Sequence, residues 1–212
     1  MDIAFATTRA KPMSYSDYKT ISQIREQFPE YQIIEDRDWT TEVQFDTSAT
    51  PSSKLIDALD KYVPLAIAIN TEKARSELII TPVLLEVRET CGVGYFSGVR
   101  FDVDEERGLK GYCDYLLTLK PEMYEISVPL LVVVEAKNES IKSGLAQCMA
   151  ELIAASVFNQ NNSPMVIGAV TTGTEWKFLK LAEQTIYIDR TDYFLKNELA
   201  KILDVLLFPF LH

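Results

Sequence analysis

One stretch constrains this chain more than any other: Leu130-Leu131-Val132-Val133-Val134, followed without a break by Glu135, Ala136 and Lys137. A continuous apolar, β-branched run of this length predicts a strand from Val128 to Ala136 that is covered on both faces, as in a sheet sandwiched between helices. A sheet with one wet face would alternate apolar and polar residues instead. Because successive side chains on a strand point to opposite faces, Glu135 and Lys137 emerge on the same side, about 7 Å apart, where the buried run ends.

The rest of the chain supplies the helices and further strands. Tyr18, Ile21, Ile24 and Phe28 give Tyr15 to Phe28 a helical spacing, and Tyr31 to Glu35 reads as a short strand. A soft joint at Asp46 to Ser53 separates residues 1–50, an N-terminal elaboration packed on the main domain, from residues 51–212. Ser52 or Ser53 caps a helix whose Leu55, Leu59 and Tyr62 recur until Pro64, and a longer helix is expected from Thr71 to Arg88. Val93 to Val103 and Tyr112 to Leu119 form an antiparallel hairpin across Asp104 to Gly111. After the apolar strand come a helix at Ser140 to Phe158, with Leu145, Met149, Leu152, Ile153 and Val157 on one side, and a strand at Met165 to Val170. The crossover rule makes that strand parallel to the one at Val128 to Ala136. Trp176 to Leu181 and Thr185 to Ile188 add strands, with Trp176 and Phe178 in the core, and Tyr193 to Phe208 closes the chain as a helix. The class is α/β, with a central sheet flanked by helices.

Composition removes whole reaction classes. The only histidine is His212, so a Ser-His-Asp triad, a Cys-His dyad or a histidine-ligated zinc site lacks its central residue. Cys91, Cys113 and Cys148 contain no C-x-x-C pair and read as reduced thiols. Gly92, Gly94 and Gly98 precede a strand instead of joining a strand to a helix, which is no nucleotide fingerprint. The N-terminus shows no basic region followed by an apolar one, and the Leu130 to Val134 run is far short of a membrane span, so a soluble cytoplasmic protein with no membrane partner is expected. Formal net charge is -10, from 31 acidic and 21 basic residues, which makes any contact with a phosphate backbone weak. A homo-oligomer or a protein partner is left open.

Chemistry converges on the end of the apolar strand. The preceding strand carries Asp114 between Cys113 and Tyr115, a carboxylate in a segment that otherwise favours burial. Asp114, Glu135 and the backbone carbonyl of Ala136 make a hard oxygen set suited to Mg2+ or Mn2+, with positions left for water and a phosphate oxygen. Lys137 beside them can orient the attacking water and stabilise charge on the phosphate, which is how a site without histidine hydrolyses a phosphodiester.

Asp114 on one strand, Glu135-Ala136-Lys137 at the end of the next, and a following helix with Gln147 resemble the core of the PD-(D/E)XK nuclease superfamily, over roughly Glu72 to Thr172. The segment from Glu72 through Glu77 to Pro82 is similar to the helix that opens the nuclease domain of type I restriction-enzyme motor subunits. There a glutamate ten residues before the proline helps the metal site; Glu72 stands at that position, with Glu77 the alternative on the same helix. The resemblance implies a restriction-endonuclease-like fold, Asp114 and Glu135 as metal ligands, Lys137 as the water-orienting base, and Gln147 facing that lysine. Cys113 stands where the family usually has proline, and the acidic balance is unlike that of a dedicated DNA-cutting enzyme.

Singly, each residue has a plainer reading. Asp114, or the pair Glu135 and Lys137, could be a solvated strand end; Glu72 and Glu77 need no explanation on an amphipathic helix; Gln147 suits a helix surface; and Asp102, Asp104, Glu105 and Glu106 read as a solvated hairpin loop. Jointly they predict a Mg2+- or Mn2+-dependent endonuclease-like phosphodiesterase acting on DNA. The alternatives are a binding or assembly module that keeps the fold without catalysis, and a small-molecule phosphohydrolase.

Overall fold

The run at Leu130 to Val134 lies inside a seven-stranded mixed sheet. The computed structural model describes residues 13–42, 49–160, 163 and 165–211, so His212 and the first part of the soft joint, residues 46–48, lie outside the described residues. The strands are β1 (Gln32–Arg37), β2 (Gly94–Arg100), β3 (Tyr112–Thr118), β4 (Leu130–Ala136), β5 (Met165–Thr171), β6 (Glu175–Ala182) and β7 (Thr185–Phe194). Their order across the sheet is β1-β7-β6-β5-β4-β3-β2. β4 is antiparallel to β3 and parallel to β5, as the crossover rule requires. Every residue of β4 is buried, and each fully buried Val or Leu contributes about 1.5–3 kcal/mol.

Helices cover both faces. Those that follow are α1 (Ile21–Gln27), α2 (Trp39–Glu42), α3 (Ser53–Ile69), α4 (Glu72–Arg75), α5 (Thr81–Cys91), α6 (Ile141–Asn159) and α7 (Leu195–Leu211). α1 and α6 pack with Val133, Leu116 and Val170 on one face; α3, α5 and α7 pack with Val132, Val134 and Ala169 on the other. Trp176 and Phe178 are fully buried on the second face. The N-terminal segment is wired into this frame, since β1 pairs in parallel with β7 to form one edge of the sheet, and Ile24 and Phe28 sit in the α6 core.

Three local expectations change. Tyr15 to Phe28 is not one helix but a 3-10 turn at Tyr15–Asp17 and then α1, because Thr20 turns extended and caps α1 through Gln23. α3 runs through Pro64 to Ile69 and ends at left-handed Asn70; Pro64 and Asp60 are both exposed, so water can satisfy the Asp60 carbonyl that proline cannot. α6 is not two-sided but buried around most of its girth, because the Tyr15–Asp17 turn and α1 cover its outer side. By length and composition alone α6 could cross a membrane, but 56% of its most apolar window is buried inside the fold, as expected of a core helix.

Candidate active site

The β3–β4 register pairs Tyr115 with Val134, Leu116 with Val133 and Leu117 with Val132. Continued by one residue, it sets Asp114 opposite Glu135, where facing Cβ atoms lie about 4.5–5.5 Å apart. The backbone locks this arrangement: the Ala136 N–H donates to Asp114 Oδ2 at 2.8 Å. The Lys137 N–H donates to the Thr171 carbonyl at 2.8 Å, so β4 stays tied to β5 one residue past its end. Glu135 is only 1% exposed. Its Oε1 accepts a hydrogen bond from the Lys137 ammonium, and its Oε2 has no hydrogen-bond partner among the described residues.

Electrostatics follow from that crowding. Burial, reinforced by the negative charge of Asp114 and only partly offset by Lys137, pushes the Glu135 carboxyl up to about 8. Burial alone would depress the Lys137 ammonium, but Glu135, Asp114 and Glu72 outweigh it and hold the lysine above its ordinary value. The cluster therefore favours a cation or a proton between its carboxylates and keeps the lysine charged.

Helix α6 closes the site from one side, and its register against β4 is pinned at the far end. Asn159 Nδ2 donates to the Leu130 carbonyl at 2.7 Å while Asn159 Oδ1 accepts from the Leu130 N–H at 2.8 Å. At the near end the absence of a side chain at Gly144 lets α6 approach: a Cβ there would lie 2.6 Å from Val170 and 3.1 Å from the Lys137 stem. Gly144, Gln147 and Glu151 follow one another along one side of the helix. Gln147 Nε2 donates to Glu151 Oε1 at 3.1 Å. Glu151 is fully buried, and its carboxyl is held well above the ordinary range by desolvation first and by Glu135 next.

The segment from Glu72 to Cys91 borders the site from another direction. A π-turn at Ser76–Ile80 interrupts it and offsets the Glu72 end from the Pro82 end. Tyr115, next to Asp114, is held between Ser76 and Thr81, with the Thr81 and Tyr115 hydroxyls 3.2 Å apart. Arg75 Nη1 donates to the Thr172 carbonyl at 3.0 Å, tying this segment to the end of β5. Glu72 lies close enough to act on Lys137 through its charge. Glu77 is ion-paired with Lys73 at 3.0 Å and largely exposed.

Asp114, Glu135, Ala136 and Lys137 thus meet at one point, with Glu72 acting on Lys137 through its charge, while Gln147 bonds to Glu151 and Glu77 to Lys73. Among the described residues no three His, Cys, Asp or Glu side chains form a metal-binding group. A set of two carboxylates with one unsatisfied oxygen nevertheless suits Mg2+, which keeps several waters and takes further oxygens from a bound phosphate. Sequence reasoning missed Glu151 and Asn138, whose Oδ1 is also buried without a partner among the described residues. The signal for Glu151 was present: it is the only charge between Gly144 and Phe158. No protein-family model matches the chain, and a search of curated proteins finds no match either.

Proposed function

We propose that this chain is a restriction-endonuclease-like, divalent-metal-dependent phosphodiesterase that cuts DNA, with Asp114 and Glu135 as ligands and Lys137 at the attacking water. One observation carries the reading: Glu135 is buried to 1%, faces a second carboxylate, and leaves an oxygen without a donor among the described residues. An uncompensated buried charge is costly, and a cation shared with Asp114 offsets that cost. Asp114, Glu135 and the Ala136 carbonyl would hold Mg2+ or Mn2+. That ion supplies Lewis acidity toward the phosphate and acidifies water.

The chain's own groups define the rest. Asp114 is fixed by the Ala136 N–H, so the carboxylate does not reorganise during reaction. Lys137, held as an ammonium, donates hydrogen bonds to the attacking water and to the charge that develops on the phosphate; it does not take a proton. This modifies the role of base that the family resemblance implies. Glu72 adds negative charge at the rim. The same reading sets the protein in the cytoplasm, where Cys113 and Cys148, buried as free thiols, stay reduced.

The net charge of -10 favours a second reading, in which the same residues hydrolyse a small phosphodiester and not a duplex. A panel of duplex, single-stranded and branched DNA and of small phosphodiesters, incubated with Mn2+ at low salt, separates the two. DNA cleavage by wild type that disappears in Asp114→Ala supports the nuclease reading, and cleavage of the small esters alone supports the second. No cleavage of any substrate leaves the fold as a binding or assembly module.

A further inference from the structure

Glu151 sits in the middle of α6, among Met149, Leu152, Ile153 and Ala154, all fully buried. A leucine at this position would suit those surroundings better than a carboxyl group, since a buried ionisable group is costly unless its polar atoms are matched. Only one of its two oxygens is matched: Oε1 accepts from Gln147 Nε2 at 3.1 Å, while Oε2 has no hydrogen-bond partner among the described residues. A group kept at such expense, one helical turn from Gln147 and within the field of Glu135, Asp114 and Lys137, calls for a role at the site.

We propose that Glu151 is a positioning residue: by accepting from the amide nitrogen of Gln147 it fixes that carboxamide, turning its oxygen toward the Lys137 end of the site. The geometry beneath this is a single row on α6. Gly144 admits the Lys137 stem, Gln147 comes next, and Glu151 lies one turn deeper. A glutamine side chain alone has three torsions and two interchangeable ends, so its donor and acceptor faces are undefined. A buried acceptor that takes the NH2 end removes that freedom. The carbonyl end is then left to hold the lysine ammonium in line, a hydrogen bond that a charged donor strengthens. Glu151 touches no substrate in this scheme and acts only through Gln147.

The consequence for the reaction rests on the phosphodiesterase reading; the orientation of Gln147 does not. Two measurements keep them apart. In NMR spectra with selectively labelled glutamine, the Gln147 side-chain NH2 pair should be dispersed and slow to exchange in wild type and in Glu151→Gln, which preserves an acceptor. In Glu151→Leu it should collapse to the position of a free amide. A free-amide signal in wild type, or an unchanged one in Glu151→Leu, overturns the proposal whatever the protein cuts. In cleavage assays, Glu151→Leu should lower kcat roughly 10- to 100-fold, the range for loss of a hydrogen bond to a site residue, with KM little changed. Its melting temperature should be equal to or above that of wild type. Adding Glu151→Leu to Gln147→Ala should cost no more activity than Gln147→Ala alone. Additive losses in the double variant, or a Glu151→Leu protein that loses activity only in proportion to lost stability, assign Glu151 to packing and refute the positioning role.

Discussion

Two buried carboxylates in this molecule, each 1% exposed, have opposite surroundings. Asp189, midway along β7, accepts from the Thr40 hydroxyl on one oxygen and from the Thr191 N–H at 3.1 Å on the other, with the Tyr193 hydroxyl bonded to Thr40 behind it. Burial raises its carboxyl, but Thr40 and Thr191 pull it back. Glu135, at the end of β4, has one oxygen on Lys137, another with no partner among the described residues, and a carboxylate for a neighbour. The first is a completed network that ties β7 to α2. The second is an arrangement that becomes complete only when a cation or a proton arrives. Burial alone does not separate structural from chemical carboxylates; the accounting of their partners does.

The sharpest break between the two regions should appear in activity. Lys137→Ala is expected to lower Mn2+-dependent cleavage by roughly 100-fold or more with the fold intact, because it removes a charge used in the transition state. Asp189→Asn should cut at the wild-type rate. Comparable losses in both variants, measured as kcat/KM at equal folded fraction, would erase the distinction.

Stability should sort the pair the other way. Asp189→Ala leaves the buried Thr40 hydroxyl, to which the Tyr193 hydroxyl is bonded, without its acceptor and is expected to cost about 1–3 kcal/mol in urea unfolding. Glu135→Gln, which removes a carboxyl that is difficult to ionise, should cost less than Asp189→Ala and stabilise the protein above pH 8. A Glu135→Gln protein that unfolds more readily than Asp189→Ala at that pH counts against this account.

A smaller effect follows from proton linkage. The folded-state carboxyl of Glu135 titrates at about 8 against an ordinary 4.5, so the native state holds a proton that the unfolded chain has released. Its contribution is therefore fully present below about pH 4.5 and is lost as pH rises through about 8. Protons and a divalent cation compete for the same oxygens, so the rise in melting temperature on adding Mn2+ should grow across that window. A metal-induced shift that is flat between pH 6 and pH 9, or that survives in Glu135→Gln, would place the cation elsewhere.

What could be read from the amino-acid order alone was the frame and the end of β4. The apolar run at Leu130 to Val134, the β2–β3 hairpin and the parallel β4–β5 crossover were visible because strand burial and handed crossovers leave period and spacing in the sequence. So was the shared face of Glu135 and Lys137. The surroundings of α6 were not legible. Its one-sided apolar pattern gave no hint that Tyr15 and Phe28, more than a hundred residues upstream, would cover its other side. Neither could helical spacing foretell the π-turn at Ser76–Ile80 that lies across this segment: local pattern assigns Glu72 and Glu77 to one amphipathic helix, whereas in the fold the charge of Glu72 acts on Lys137 and Glu77 pairs with Lys73.

The central claim is that Asp114 and Glu135 share one divalent cation, and paramagnetic broadening by Mn2+ tests it residue by residue. In 15N-labelled protein at pH 8, substoichiometric Mn2+ should first broaden the amides of Asp114, Glu135, Ala136 and Lys137, while Asp189 and Thr191 stay sharp and Asp114→Ala abolishes the effect. Broadening that begins at the exposed acidic residues, or persists around Ala136 in Asp114→Ala, would contradict it.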